Sequence, residues 1–162
     1  MINLFLYNWK VRDEWFEWCK TVPDQEIMKE RVGGMGSILH NLLHVINCER
    51  IWISQMEGSP VSTKEFNEST TLEEVMIFSE ETKAITRCFL NSIEPFQKDK
   101  ILTITSKRGS TYELPFQKVL FHIITHEVHH VGQLSVWARE IDQKPVSSDL
   151  IFREWQEQGR ER

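Results

Sequence analysis

Phe121-His122 and, two residues on, Thr125-His126-Glu127-Val128-His129-His130-Val131-Gly132-Gln133-Leu134 carry four of the chain's six histidines within nine positions. A helix advances about 100° per residue, so residues four apart share a face, roughly 6 Å apart at Cβ. His126 and His130 have that spacing, and two imidazoles so placed reach one ion at the ~2.0–2.1 Å of a Zn–N bond. Phe116, Val119, Ile123, Leu134, Trp137 and Ile141 recur around them in steps of three and four. On a helical wheel both histidines fall inside this apolar stripe, where Leu or Ile is the usual occupant. A lone histidine there is most often a hydrogen-bonded core residue, but a stacked pair must be desolvated together and calls for a shared partner. His122 and His129 fall on the flank of the stripe.

Around this run lies a chain of 162 residues, one domain spanning 1–162 by length and large enough for a real core. The apolar and charged fractions, 40% and 27%, are those of a soluble globular protein. A net charge of −5 and a pI near 5.7 argue against a nucleic-acid partner, which wants a basic face. No apolar run approaches the ~20 residues of a membrane span. Met1-Ile2-Asn3-Leu4-Phe5-Leu6 lacks the basic start and cleavage site of a signal peptide. Cys19, Cys48 and Cys88 are odd in number and far apart, which suits free thiols in a reducing cytoplasm.

The pattern predicts four long helices. The first runs from about Asn3 to Lys20, with Leu4, Val11, Trp15, Trp18 and Val22 in helical spacing, and Pro23 closes it into a polar connection. Its aromatic residues cover more faces than one core needs. That surplus predicts a homodimer, unless the C-terminal segment covers it. Gly33, Gly34 and Gly36 read as a connection, since no Lys-Ser/Thr follows them as in a phosphate loop. The second helix spans roughly Gly36 to Met56, with Ser37 near its start and Ile38, Leu42, Ile46, Glu49 and Ile53 as its main stripe. His40 and His44 point roughly opposite to that stripe. Leu43 and Ile51 lie near the histidine side, so the helix reads as buried on two faces. Cys48, one turn after His44, is a candidate thiolate ligand. Gly58 to Ser69 reads as a long crossover. Thr70 with Glu73, or Thr71 with Glu74, forms a capping box for the third helix, which ends near Ile93, before Pro95. Ile101–Thr105 and Thr111–Leu114 flank the turn Lys107-Arg108-Gly109-Ser110 as a short hairpin. Pro115 is placed at the first position of the fourth helix, which ends near Asp142. Ser147 or Ser148 caps a last short helix through Phe152 and Trp155. Four such helices with one long connection fit an all-α four-helix bundle, whose core sites draw ligands from facing helices.

His126-Glu127-Val128-His129-His130 also satisfies H-E-x-x-H, the zincin metallohydrolase signature in which Glu127 would be the general base. The extended metzincin form fails at Gln133 and Val136, and no sheet precedes the helix to hold an extended peptide.

A second resemblance covers nearly the whole chain. Tyr7-Asn8-Trp9, Ser37-Ile38 followed by Leu42-Leu43-His44-Val45, Glu49-Arg50-Ile51-Trp52, the hairpin from Ile101 to Leu114, the run from Val119 to Leu134, and Ser148-Asp149-Leu150 stand in an order and spacing similar to the DinB/YfiT-like superfamily. The run departs from the family pattern at Val131, where Arg is frequent. The resemblance implies an up-down-down-up bundle and a divalent metal held by three histidines; imidazole donors suit zinc or nickel. By position these are His44, His126 and His130, with His40 the competitor for the first. His122 or His129 would orient a ligand's other ring nitrogen, or simply flank the site. A three-histidine site leaves a position open for water or substrate. Some relatives resemble transferases that use low-molecular-weight thiols such as bacillithiol. The resemblance therefore implies a metal-dependent thiol S-transferase acting on a small-molecule substrate, or else a non-catalytic metal-binding stress protein.

Overall fold

The computed structural model describes residues 1–93, 100–105 and 108–153. Pro95, Lys107 and Trp155, named above, lie outside them. Helix α1 is Ile2–Cys19, α2 Asp24–Met28, α3 Ile38–Glu57, α4 Leu72–Ser92 and α5 Phe116–Glu140. Strands β1 (Ile101–Thr105) and β2 (Thr111–Pro115) pair antiparallel between α4 and α5, in register from Ile101 opposite Pro115 to Thr105 opposite Thr111. The protein is mostly helical with this one small sheet among the described residues.

Local chemistry sets the helix ends. Ser37 caps α3, its side chain accepting from the His40 N–H, and Gly58 closes that helix at φ 73°, a left-handed conformation that glycine adopts without strain. At α4 the capping box is Thr71 with Glu74; both of its reciprocal hydrogen bonds form. Three expectations are corrected. The polar connection after Pro23 holds a further short helix, α2, because Ile27 is an apolar anchor that buries in the core. Pro115 is not the first residue of α5; it ends β2 with ψ 135° and serves as the N-cap, so strand passes straight into helix. Of the last short helix, the described residues hold a single 3₁₀ turn, Leu150–Phe152, with no cap from Ser147 or Ser148 and with Ile151 and Phe152 exposed.

The four long helices pack pairwise: α3 against α4 and α5, and α1 against α4 and α5. Their apolar residues form two clusters. One gathers Trp15, Trp18, Ile38, Leu42, Ile46, Val75, Leu134 and Trp137; the other gathers Phe5, Trp9, Ile53, Phe89, Phe116, Val119 and Ile123. Trp9, Trp15 and Trp18 are all buried within the one chain. Trp18 donates to the Lys144 carbonyl at 3.0 Å, and Val146 packs on the first cluster, so the segment after α5 covers part of the aromatic surplus of α1.

Between the clusters lies a buried polar layer. Arg12, 1% exposed, donates Nε and Nη2 to the two oxygens of Glu127 at 2.7 Å each, and Nη2 also to Glu49 at 2.7 Å. Its Nη1 reaches Ser79 Oγ at 3.3 Å, and Trp9 Nε1 donates to Glu49 at 3.1 Å. Burial would pull the Arg12 pKa down, but the charges of Glu127 and Glu49 outweigh it and the net shift is upward. The guanidinium is charged at any accessible pH. Such a pair is tolerated in the interior only because every partner is hydrogen-bonded.

Candidate metal centre

All six histidines of the chain lie on two facing helices, His40 and His44 on α3 and the other four on α5. His44, His126 and His130 converge: one ring nitrogen from each lies within 4.8 Å of the others. His44 Nε2 and His126 Nε2 stand 3.2 Å apart, and ring centroids in the trio are 4.6 to 4.9 Å apart. Two nitrogens on one tetrahedral zinc would be about 3.3 Å apart given its bond lengths. His130 is buried, while His44 and His126 are half-buried, so the trio is partly reached by solvent rather than sealed in the core.

The donors are in the right chemical state. Burial, then the neighbouring rings of His130, His44, His122 and His129, pulls the His126 pKa down to about 4. Burial followed by His130 and His40 lowers that of His44. Burial also lowers that of His130, partly opposed by its hydrogen bond to Gln133. At neutral pH all three are uncharged and present lone pairs. His130 Nδ1 faces two oxygens, Gln133 Oε1 at 2.7 Å and Asn41 Oδ1 at 3.0 Å, so it carries the proton and leaves Nε2 free. His126 Nδ1 is buried with no hydrogen-bond partner among the described residues. The donor set fits a borderline-soft divalent ion: three neutral imidazoles can hold one, and no carboxylate or thiolate joins them among the described residues.

Other candidates fall outside the trio. His40 stacks on Phe66 with ring centroids 4.2 Å apart. His122 and His129 are exposed on α5; His122 lies edge-on to Trp52, and His129 faces the Gln133 amide nitrogen at 3.2 Å. Cys48 is buried, and burial first of all pushes its thiol up to about 12, so it is a protonated core thiol outside the trio. Glu127 is held by Arg12 in the polar layer and is unavailable as a zincin-type general base. Nothing in the helical pattern marks Asn41 as a partner of His130. Gln133 was marked by its position three residues after His130, one helical turn away.

Three convergent histidines on a mostly helical chain were the expectation of the resemblance, and comparison with known proteins decides its source. The DinB family model matches residues 1–161. The chain belongs to the DinB family. It is also 38% identical over 153 residues to the uncharacterized protein YizA of Bacillus subtilis (strain 168), covering 94% of this chain and 95% of that protein. As a DinB protein it is expected to hold a metal, and the trio is where its residues could do so. No helix among the described residues is long and apolar enough to cross a membrane.

Proposed function

We propose that this DinB protein binds one zinc or nickel ion through His44, His126 and His130 and works as a thiol S-transferase. It would join a low-molecular-weight thiol such as bacillithiol to a small organic electrophile. The observation that carries the reading is the convergence of three neutral imidazoles, two of them half-buried, with no fourth protein donor beside them among the described residues. Catalytic zinc sites share that form, whereas structural ones close with a fourth protein ligand. A bound ion would supply Lewis acidity that favours the thiolate over the thiol. The chain's own residues do the rest. His130 is held in one orientation by Asn41 and Gln133. His44 and His126 are only half-buried and leave their side of the trio within reach of a substrate. The thiol proton passes to solvent through the open side; the carbon–sulfur bond forms as the carbon–leaving-group bond breaks, and the leaving group departs with that electron pair.

The four long helices suit an up-down-down-up bundle. Along α1 and α5 the second cluster precedes the polar layer and the first follows it, while α3 runs the opposite way and α4 likewise places Val75 before Phe89. Free Cys19, Cys48 and Cys88 suit the cytoplasm. A homodimer would use the exposed α5 face of Phe121, Val128 and Val136, since the α1 tryptophans are already covered; light scattering decides it.

The test is element analysis of protein purified without chelator, then a thiol-transfer screen with and without the metal. Stoichiometric zinc or nickel and metal-dependent conjugation support the reading. Metal uptake with no transfer across electrophile classes would leave the rival, a non-catalytic metal-binding stress protein. An empty site that takes up no ion on titration would overturn both.

A further inference from the structure

The glycine-rich connection before α3 touches the histidine trio at one point. Gly34 has φ +51°, and a Cβ there would lie 2.8 Å from each of Asn41 Oδ1, Gln133 Oε1 and Trp137 Cη2. Two of those atoms are the oxygens that face His130 Nδ1. The backbone therefore closes over the acceptors that hold the ring, and only a residue without a side chain fits.

The hydrogen bonds around this contact fix every donor and acceptor. Asn41 Oδ1 accepts from the Met35 N–H at 3.1 Å, which orients its amide. Asn41 Nδ2 then donates to the His130 carbonyl and to Gln133 Oε1, both at 3.3 Å. Gln133 Oε1 thus accepts from Asn41 and from His130, while its Nε2 donates to His129. Flipping either amide sets donor against donor. Trp137, against which Gly34 also packs, donates to the Val32 carbonyl at 3.3 Å and pins the same connection to α5.

We propose that Gly34, Asn41 and Gln133 are positioning residues that lock His130 as its Nδ1–H tautomer and so present a preoriented Nε2 donor to the metal. The proposal rests on the metal site proposed above. His126 has no such support, its Nδ1 being buried without a partner among the described residues, so the trio is anchored on His130. Partners that orient a ligating imidazole commonly contribute 10- to 100-fold in metal affinity.

The experiment compares zinc titration of chelator-stripped wild type with Gln133→Leu, Gln133→Glu and Gly34→Ala, alongside ¹⁵N NMR of the histidine tautomers in the metal-free proteins at pH 7.5. Expected are a zinc affinity about 10- to 100-fold weaker for Gln133→Leu and Gly34→Ala, near-native affinity for Gln133→Glu, whose carboxylate still accepts from Nδ1–H, and a His130 signal that is Nδ1–H in wild type and mixed in Gln133→Leu. Should Gly34→Ala fail to fold, the half-buried Gln133 pair carries the comparison. Wild-type zinc affinity in Gln133→Leu, or an Nε2–H His130 in wild type, overturns the proposal. A wild type that binds no zinc but shows the locked Nδ1–H tautomer overturns the metal reading, and with it the positioning of a donor.

Discussion

Replacing Arg12 by Met tests the polar layer at the centre of the molecule. The substitution keeps a flexible apolar stem and removes the only cation that Glu49 and Glu127 are seen to share among the described residues. Three charge-assisted bonds of 2.7 Å disappear, and two buried carboxylates, 0% and 3% exposed, are left facing each other's charge. Removing one partner of a buried pair typically costs about 3–5 kcal/mol, because the remaining charge stays desolvated. A chain of this size shifts about 2–4 °C per kcal/mol, so a fall in Tm of roughly 6–20 °C is expected. The loss should come from stranded charge rather than lost volume. The triple variant Arg12→Met/Glu49→Gln/Glu127→Leu removes the charges while keeping an acceptor for Trp9 Nε1, and should recover at least half of the deficit. Thermal and urea unfolding followed by circular dichroism at pH 7.5 measure both. An Arg12→Met protein as stable as wild type, or a triple variant as unstable as the single one, would refute the reasoning.

His44→Ala should weaken zinc binding strongly, while His40→Ala, whose ring is stacked on Phe66, should not; titration of both variants decides. Thr71→Ala removes the hydroxyl that accepts from the Glu74 N–H and should cost about 1 kcal/mol in urea unfolding. Chelator should lower the melting temperature at pH 7.5, since a bound ion favours the folded state. The shift should shrink below about pH 6 as protonation of the imidazoles displaces the metal. The metal-free protein should itself lose stability as pH falls from about 6.5 toward 4: His126 has a lowered folded pKa, so the unfolded chain takes up protons first. Melting curves with and without chelator at pH 7.5 and pH 5 check both, and an equal chelator effect at the two pH values would mean that histidines do not carry the site.

The sequence made the long helices legible because their apolar steps of three and four are regular and their ends carry Ser37, Thr71 and Gly58. Helix α2 was hidden because one buried residue, Ile27, gives no periodicity to read. Pro115 misled because the residue suits both a helix start and a strand end; pairing with Ile101 decided between them. The His126–His130 pair was visible as spacing alone. His44 was not visible in spacing, since on a wheel it points away from the main stripe of α3; the family resemblance named it, and packing of α3 on α5 is what brings it to His126. The Arg12 layer was half-visible, as a glutamate, Glu49, inside an apolar stripe. Its partner could not be named, since the contacts span 37 and 115 residues of chain.

Arg12 reaches α3, α4 and α5 from α1 through Glu49, Ser79 and Glu127, and this has a consequence for how the helices find their alignment. Apolar stripes are nearly translation-tolerant: sliding a helix by one turn, about 5.4 Å, still sets aliphatic groups against aliphatic groups. Here a one-turn slip of α5 would bring Ile123 or Val131 to the guanidinium, and a slip of α3 would bring Val45 or Ile53. Each slip breaks one of the two ion pairs and leaves a carboxylate buried without its cation, so the misaligned compact states lie well above the native one. The same pin keeps His44 level with His126 and His130, since His44 is five residues from Glu49 on α3 and Glu127 is the residue after His126 on α5.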